Sequence, residues 1–255
     1  MNFFERDKQI YKLKKKNHPN ILRVDIANRI IKKSNAKKIL DLGCGIGYFH
    51  SVISRNKSVE KVTNIDISNE ALKIFKDKFY NSKSEIIKYD LNKNWQFYID
   101  HKYDLITSFS VFQYLKNKQQ FLKKIKFKLK KSGIFIISCP NMYFDLFALN
   151  ERTHLFFDYL SFKYKQKIKK IFKNKKIINK NKFSFFKENF KSIDPILLKK
   201  IIEKNGFKFI KYYWIKIHKY PPGIIGRDKQ IIKAYSDNET DFYSSSTFLG
   251  IFQKK

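Results

Sequence analysis

Residues 41–49 read Asp-Leu-Gly-Cys-Gly-Ile-Gly-Tyr-Phe. The apolar pair Ile39-Leu40 leads into them, and a segment that can be helical follows. A strand that ends in a glycine turn and opens a helix lays bare backbone N–H groups against a ligand. The spacing narrows the choice of ligand. The glycines fall at 43, 45 and 47, and Tyr48 stands where a dinucleotide-binding turn places its third glycine. Asp41 puts a carboxylate just before the turn. A pyrophosphate would be repelled there, whereas a cationic or zwitterionic ligand would be welcome.

More carboxylates follow at the same level. Residues 62–67, Val-Thr-Asn-Ile-Asp-Ile, are rich in β-branched side chains and carry no charge before Asp66, so they read as a buried strand. Ser68 is placed to cap the next helix, with Glu70 in its first turn. An acid that closes a second strand can accept two hydrogen bonds from a ribose diol. Residues 86–92 read as the third strand and its exit, residues 103–110 as the fourth strand, and Val111 onward as a helix. Residues 121–131 form a lysine-rich amphipathic helix, Lys131-Ser132-Gly133 a turn, and residues 134–139 a fifth strand that Pro140-Asn141 ends. Alternating strands and helices imply parallel strands with right-handed crossovers, and a ligand at their carboxyl ends. Asp41, Gly43, Asp66, Asp90 and Phe109 all fall at that level.

The pattern D-x-G-C-G-x-G-Y-F resembles the first motif of the class I S-adenosylmethionine-dependent methyltransferases, and is silent about the substrate; the likeness to the ubiquinone-type and small-molecule O-methyltransferases rests on a later element, Thr153-His154. The resemblance covers residues 37–140 well and residues 190–255 loosely. It implies an α/β fold: a Rossmann-like, seven-stranded, mostly parallel sheet with helices on both faces, an antiparallel last strand and a helical cap insert. It implies S-adenosylmethionine as cofactor, its methionine part over the turn, its ribose on Asp66, its adenine amino group on Asp90 and the ring covered by Leu91. The implied cofactor-binding set is Asp41, Gly43, Cys44, Gly45, Gly47, Tyr48, Asp66, Ile67, Asp90, Leu91 and Phe109, with no metal. Residues 103–115 resemble the family's F-D-L-I-x-x-x-x-V-x-E-H-L segment, with Gln113-Tyr114 in place of Glu-His. That departure removes a carboxylate and a base. Ser108-Phe109-Ser110 stands where amino-directed enzymes carry Asn-Pro-Pro-Tyr, which argues against an exocyclic amino nitrogen as target. Residues 207–217 and 247–252 resemble the sixth and seventh strands.

The chain divides on this reading into an amino-terminal helical lid (1–36), the cofactor-binding core (37–141), a cap insert (142–190) and the carboxyl-terminal part of the sheet (191–255). In the lid, residues 20–31 are expected to form an amphipathic helix with Ile21, Val24, Ala27 and Ile31 on its apolar side. In the insert, Thr153-His154 and the Phe that follows resemble a T-H-x-x-x-F element of the ubiquinone-type enzymes. His154 is the candidate catalytic base, since histidine accepts protons near neutral pH. The alternative is a histidine that only packs. The basic residues 163–182 carry apolar residues at spacings of three and four. They read as a lysine-rich cap helix packed on the sheet, or as one lying on an anionic membrane.

The net charge of +33 raises the question of nucleic acid. Arginine, however, occurs only at 6, 23, 29, 55, 152 and 227, and specific nucleic-acid readers favour arginine for bidentate contacts. The two cysteines, Cys44 and Cys139, have no metal-ligand partner at short spacing and read as small buried residues. Without a signal-peptide core at its start or an apolar run of about 18 residues, the chain is expected in the cytoplasm. The expected activity is O-methylation of a small metabolite, sugar or lipid-like acceptor. An RNA methyltransferase using the lysine surface, or a cofactor-binding homologue without catalysis, are the alternatives. The oligomeric state is not encoded in any motif.

Overall fold

Short apolar strands that alternate with amphipathic helices leave every helix one face to bury, and this chain buries those faces on both sides of one sheet. The structure, a computed structural model, describes residues 19–99, 101–147, 192–216, 234–242 and 245–255. Helix α1 (Pro19–Ser34) precedes β1 (Lys38–Leu42), α2 (Tyr48–Ile53), β2 (Lys61–Asp66), α3 (Asn69–Phe79) and β3 (Ser84–Lys88). Then come β4 (Tyr103–Phe109), α4 (Lys118–Lys128), β5 (Leu129–Pro140) and α5 (Met142–Phe147). The described remainder is α6 (Pro195–Lys204), β6 (Phe207–Lys216), β7 (Ala234–Ser236) and β8 (Thr247–Lys254).

The strand order is β3-β2-β1-β4-β5-β8-β6-β7. Strands β1 to β5 are parallel, and β8 runs antiparallel to both β5 and β6. The seven expected strands are present, and the antiparallel one is the last. The structure adds an eighth, the short edge strand β7, paired antiparallel to β6. Strand order reverses between β1 and β4, so the loops leaving their carboxyl ends diverge and open a crevice there.

One face of the sheet packs against α1 and α2. Val24, Ile26, Ala27 and Ile31 of α1 meet Ile39, Leu105, Ile136, Leu249 and Ile251 of the strands. The helix expected over 20–31 is thus present and slightly longer, with Val24, Ala27 and Ile31 buried and Ile21 half-buried. The other face carries α4 and α6 on Leu40, Ile106, Phe135, Ile137 and Phe252. Burial of side chains this large supplies roughly 1.5–3 kcal/mol each before conformational entropy is set against it. At the amino edge of the sheet, Asp104 Oδ2 accepts from the backbone N–H groups of Lys37 and Lys38 at 3.0 and 2.8 Å, fixing the start of β1 beside β4.

Three local expectations change. Val111 does not begin a helix. Phe112–Tyr114 is a single 3-10 turn, Leu115 returns to extended backbone, and α4 starts where Asn117 caps it by accepting from the Gln120 N–H at 2.9 Å. Helix α4 therefore runs from 118 to 128 rather than 121 to 131. Strand β5 begins at Leu129, paired with Tyr103, and Ser132 (φ 60°) kinks it at the expected turn instead of ending it. Two lysines of α4, Lys124 and Lys128, are buried; their ammonium groups donate to the carbonyls of Lys93 and Ile99. Part of the chain's positive charge is therefore tied to its own backbone. Among the described residues no helix is long and apolar enough to cross a membrane.

Candidate cofactor and acceptor site

The glycine turn is held from below by β2. Gly43 and Cys44 both donate their N–H groups to the Ile65 carbonyl, at 2.7 and 3.1 Å. Gly43 and Gly47 have φ of +82°, where a side chain is strained. A Cβ on Gly43 would lie 2.1 Å from Val111 Cγ2, and one on Gly47 would lie 2.5 Å from the Phe75 ring. Gly45 differs, because a Cβ there would meet nothing within 4 Å. Its open side faces the crevice, and its N–H donates to Asp66 Oδ2 at 2.8 Å. Tyr48 is half-buried and opens α2 directly after Gly47. Cys44 and Cys139 are both buried free thiols, as expected.

Asp66 closes β2 with its carboxylate braced on both oxygens. Besides the Gly45 bond, the Ser68 N–H donates to Oδ1 at 2.9 Å. A carboxylate offers about four lone-pair sites, so acceptor capacity remains for a ribose hydroxyl. Burial raises the Asp66 pKa, against the pull of those N–H donors. Ser68 caps α3 through a bond from the Ala71 N–H at 3.2 Å. Ile67 is an exposed apolar residue beside this acid. Asp90 follows β3; its Oδ1 accepts from the Asn92 backbone and side-chain amides at 2.9 and 3.0 Å, and Oδ2 takes no bond from a described residue. Leu91 is nearly buried and packs in the core with Trp95. Phe109 ends β4 and turns edge-on to Phe49 of α2, the ring centroids 5.2 Å apart.

Asp41 is 2% exposed. Thr107 Oγ1 donates to its Oδ1 at 2.7 Å, yet no cation pairs with it among the described residues. Burial pushes its pKa up to about 7, and the nearby Asp66 adds to the shift. A buried carboxyl with no counter-charge favours a positively charged guest.

Residues 40–137 match a family model described as Methyltransferase domain. The matched residues include the glycine turn, Asp41, Asp66 and Asp90, and the fold is that of the class I methyltransferases. Over 111 residues the chain is 32% identical to malonyl-[acyl-carrier protein] O-methyltransferase 2 of Ilyobacter polytropus, covering 42% of each protein. Over 100 residues it is 28% identical to malonyl-[acyl-carrier protein] O-methyltransferase of Priestia megaterium, covering 39% of this chain and 35% of that one. The matches thus span less than half the length of these curated relatives. In architecture the chain is similar to N-methyltransferase NodS of Bradyrhizobium japonicum in complex with S-adenosyl-L-homocysteine. That likeness has TM-score 0.61 at 11% identity, covering 98% of this chain and 96% of NodS. A second likeness is to an S-adenosylmethionine-dependent methyltransferase structure from Listeria monocytogenes, with TM-score 0.56 at 18% identity, covering 92% and 99%. These likenesses show the fold.

S-adenosylmethionine fits the residues at this edge. Gly45 leaves room for it, Asp66 and Asp90 keep free acceptor lone pairs, and buried Asp41 lacks a positive partner. Among the described residues no group of three or more His, Cys, Asp or Glu is placed to hold a metal ion. His154, the residues 1–18 of the expected lid and all of the expected insert beyond residue 147 lie outside the described residues. His50 points away from the crevice. It is fully buried on α2, with Ser84 Oγ 2.8 Å from its Nε2, and burial lowers its pKa to about 4. Gln113 is buried in the 3-10 turn after β4.

Sequence reasoning missed Arg23. This α1 residue is 9% exposed, and its Nη1 donates to the hydroxyls of Ser110 and Ser138 at the ends of β4 and β5. A signal for it existed: an arginine among the apolar residues of an amphipathic helix, in a chain whose cations are nearly all lysine.

Proposed function

We propose that this protein transfers a methyl group from S-adenosylmethionine to an oxygen of a small or carrier-linked acceptor. The observation that carries the reading is Asp66, which closes β2 one strand from the switch of strand order and is braced by Gly45 and Ser68 with acceptor capacity to spare. The names of the curated relatives, O-methyltransferases of a malonyl group on an acyl carrier protein, support oxygen as the target and a lipid-linked acid as the class of acceptor.

Bound at the carboxyl edge, S-adenosylmethionine supplies a methyl group on a positively charged sulfur. Asp66 takes the ribose hydroxyls and the free Oδ2 of Asp90 takes the adenine amino group, with Ile67 and Leu91 against the ring. Cys44, Gly47, Tyr48 and Phe109 complete the cofactor surface. Asp41, once ionised, offsets the cofactor's positive charge. The remaining task of the protein is to hold the acceptor oxygen about 3–3.5 Å from the methyl carbon and in line with the bond that breaks. A hydroxyl acceptor must also lose its proton, and we assign His154 as the base that receives it. The amino-terminal segment and the insert over 142–190 are read as covers of the site, and the cytoplasm as its location.

Incubation with methyl-labelled cofactor and separate small-molecule, acyl-carrier, polysaccharide, lipid and RNA fractions tests the reading. Label is expected in the small-molecule or acyl-carrier fraction. Label in RNA alone, with binding that falls steeply with salt, would replace it with the nucleic-acid reading. Absence of label from every fraction, with cofactor bound, would leave a binding protein without catalysis.

A further inference from the structure

The cofactor residues occupy one half of the carboxyl edge. Asp41 and the glycine turn follow β1, Asp66 ends β2 and Asp90 follows β3. Arg23 sits over the other half. Its Nη1 donates to Ser110 Oγ, one residue past the end of β4, and to Ser138 Oγ of β5 at 3.2 Å. Ser138 pairs with Phe109, so the two hydroxyls lie on neighbouring strands at one level. Ser110 is held there with φ 57°, unusual for a residue with a side chain, and its N–H donates to the Ser138 carbonyl at 2.8 Å.

The guanidinium is a buried charge without a counter-charge. No acidic side chain among the described residues pairs with it. Burial lowers its pKa to about 10, which still leaves it protonated at neutral pH. The Cys139 thiol lies close enough to be felt, but burial holds it in its neutral form, so it supplies no counter-charge. Its Nε is buried with no hydrogen-bond partner. Buried donors in native proteins are nearly always satisfied, and an unpaired buried ion is among the most destabilising features a fold can carry. Two neutral hydroxyls bind one nitrogen and cancel no charge. A forked cation with an idle donor, held at one nitrogen by two hydroxyls, is matched by an anionic oxygen group.

We propose that Arg23, with Ser110 and Ser138, grips an anionic oxygen group of the methyl acceptor, so that the enzyme selects acidic acceptors. This rests on the proposed methyl transfer and names the substrate class for it. The shared chemistry is a carboxylate or a phosphate.

Calorimetry on the full chain saturated with S-adenosylhomocysteine tests it, with malonate, inorganic phosphate and uncharged dimethyl malonate as probes. Malonate or phosphate is expected to bind and dimethyl malonate is not; the tighter of the two anions identifies the group. Arg23→Gln should weaken the anion at least tenfold, Arg23→Lys less, while affinity for S-adenosylhomocysteine changes less than about twofold. Equal anion affinity in wild type and Arg23→Gln would overturn the proposal. So would a loss of nucleoside affinity in Arg23→Gln with the anion unaffected, which would hand the guanidinium to the cofactor's own carboxylate. Failure of the wild type to bind the nucleoside would count against the proposed function instead, and the anion titration without nucleoside would still decide the role of Arg23. If Arg23→Gln does not fold, Ser110→Ala/Ser138→Ala keeps the cation and should lower anion affinity about three- to tenfold; no change would again overturn the proposal.

Discussion

The two halves of the carboxyl edge are built differently. On the β1-β2-β3 half, each ligand-facing group belongs to the loop that leaves its own strand. Gly45 reaches Asp66 across only 21 positions, and Ser68 reaches it across two. On the β4-β5 half, the central group comes from outside the strands altogether. Arg23 lies 87 positions from Ser110 and 115 from Ser138. On the proposed reading the first half recognises a ligand that many proteins share, through backbone geometry that short motifs encode. The second is assembled by packing α1 across the sheet, and there this chain expresses what is particular to it.

Substitutions can break the contrast, and the largest effect belongs to the turn. Gly43→Ala forces a Cβ to within 2.1 Å of Val111 Cγ2 at a φ where alanine is already strained. Cofactor affinity should fall by more than 100-fold, roughly 3 kcal/mol from strain and overlap together, as measured by calorimetry. Near-wild-type affinity would show that the cofactor does not depend on the shape of this turn.

Asp66→Ala should weaken cofactor binding by about 1.5–3 kcal/mol, the range for hydrogen bonds to a charged group. It should leave the affinity of anions for the Arg23 side unchanged. Unchanged cofactor affinity would remove the ribose role, and a parallel loss of anion affinity would show that the halves are coupled.

Asp41→Asn sharpens the comparison through pH. In the cofactor-free protein the pKa of Asp41 is raised to about 7 from 3.8. Its contribution to stability is therefore complete below pH 3.8 and lost as the pH rises to about 7, because the unfolded chain ionises first. The cofactor's positive charge favours the ionised form, so wild-type affinity should climb as the pH rises through about 7. Asp41→Asn should abolish that climb and lower affinity about tenfold at pH 8, roughly 1.4 kcal/mol. The same change should raise the melting temperature of the cofactor-free protein at neutral pH. A pH-independent wild-type affinity would contradict the assignment.

The smallest effect is expected from Ser138→Ala. It deletes one of two hydroxyl acceptors on Arg23 and should lower the stability of the cofactor-free protein by about 0.5–1.5 kcal/mol in urea titration. Cofactor affinity should not move. A matching loss of cofactor affinity would place Ser138 and Arg23 on the cofactor half after all.

Much of this was legible before any coordinates. Val62 to Ile65 announce a buried strand through β-branching, and Asp66 closes it where expected. Ser68 announces a helix start through a cap that the structure realises. The 3-10 turn at Phe112–Tyr114 was not legible, because Val111, Phe112 and Leu115 have helical spacing. The 57° φ of Ser110 before them and the Asn117 cap after them decide where the real helix begins.

Sequence alone fixed the alternation of strands and helices, the glycine turn and the acids at the strand ends, because these depend on near neighbours and on periodicity. Tertiary structure decided which residue faces the second half of the crevice, since no local pattern relates an arginine in the first helix to serines on the fourth and fifth strands. It also decided that Asp41 and Arg23 are buried with no counter-charge among the described residues. Burial is a property of the whole packed sheet, and it is burial that turns an ordinary carboxylate and an ordinary guanidinium into groups that favour a charged guest.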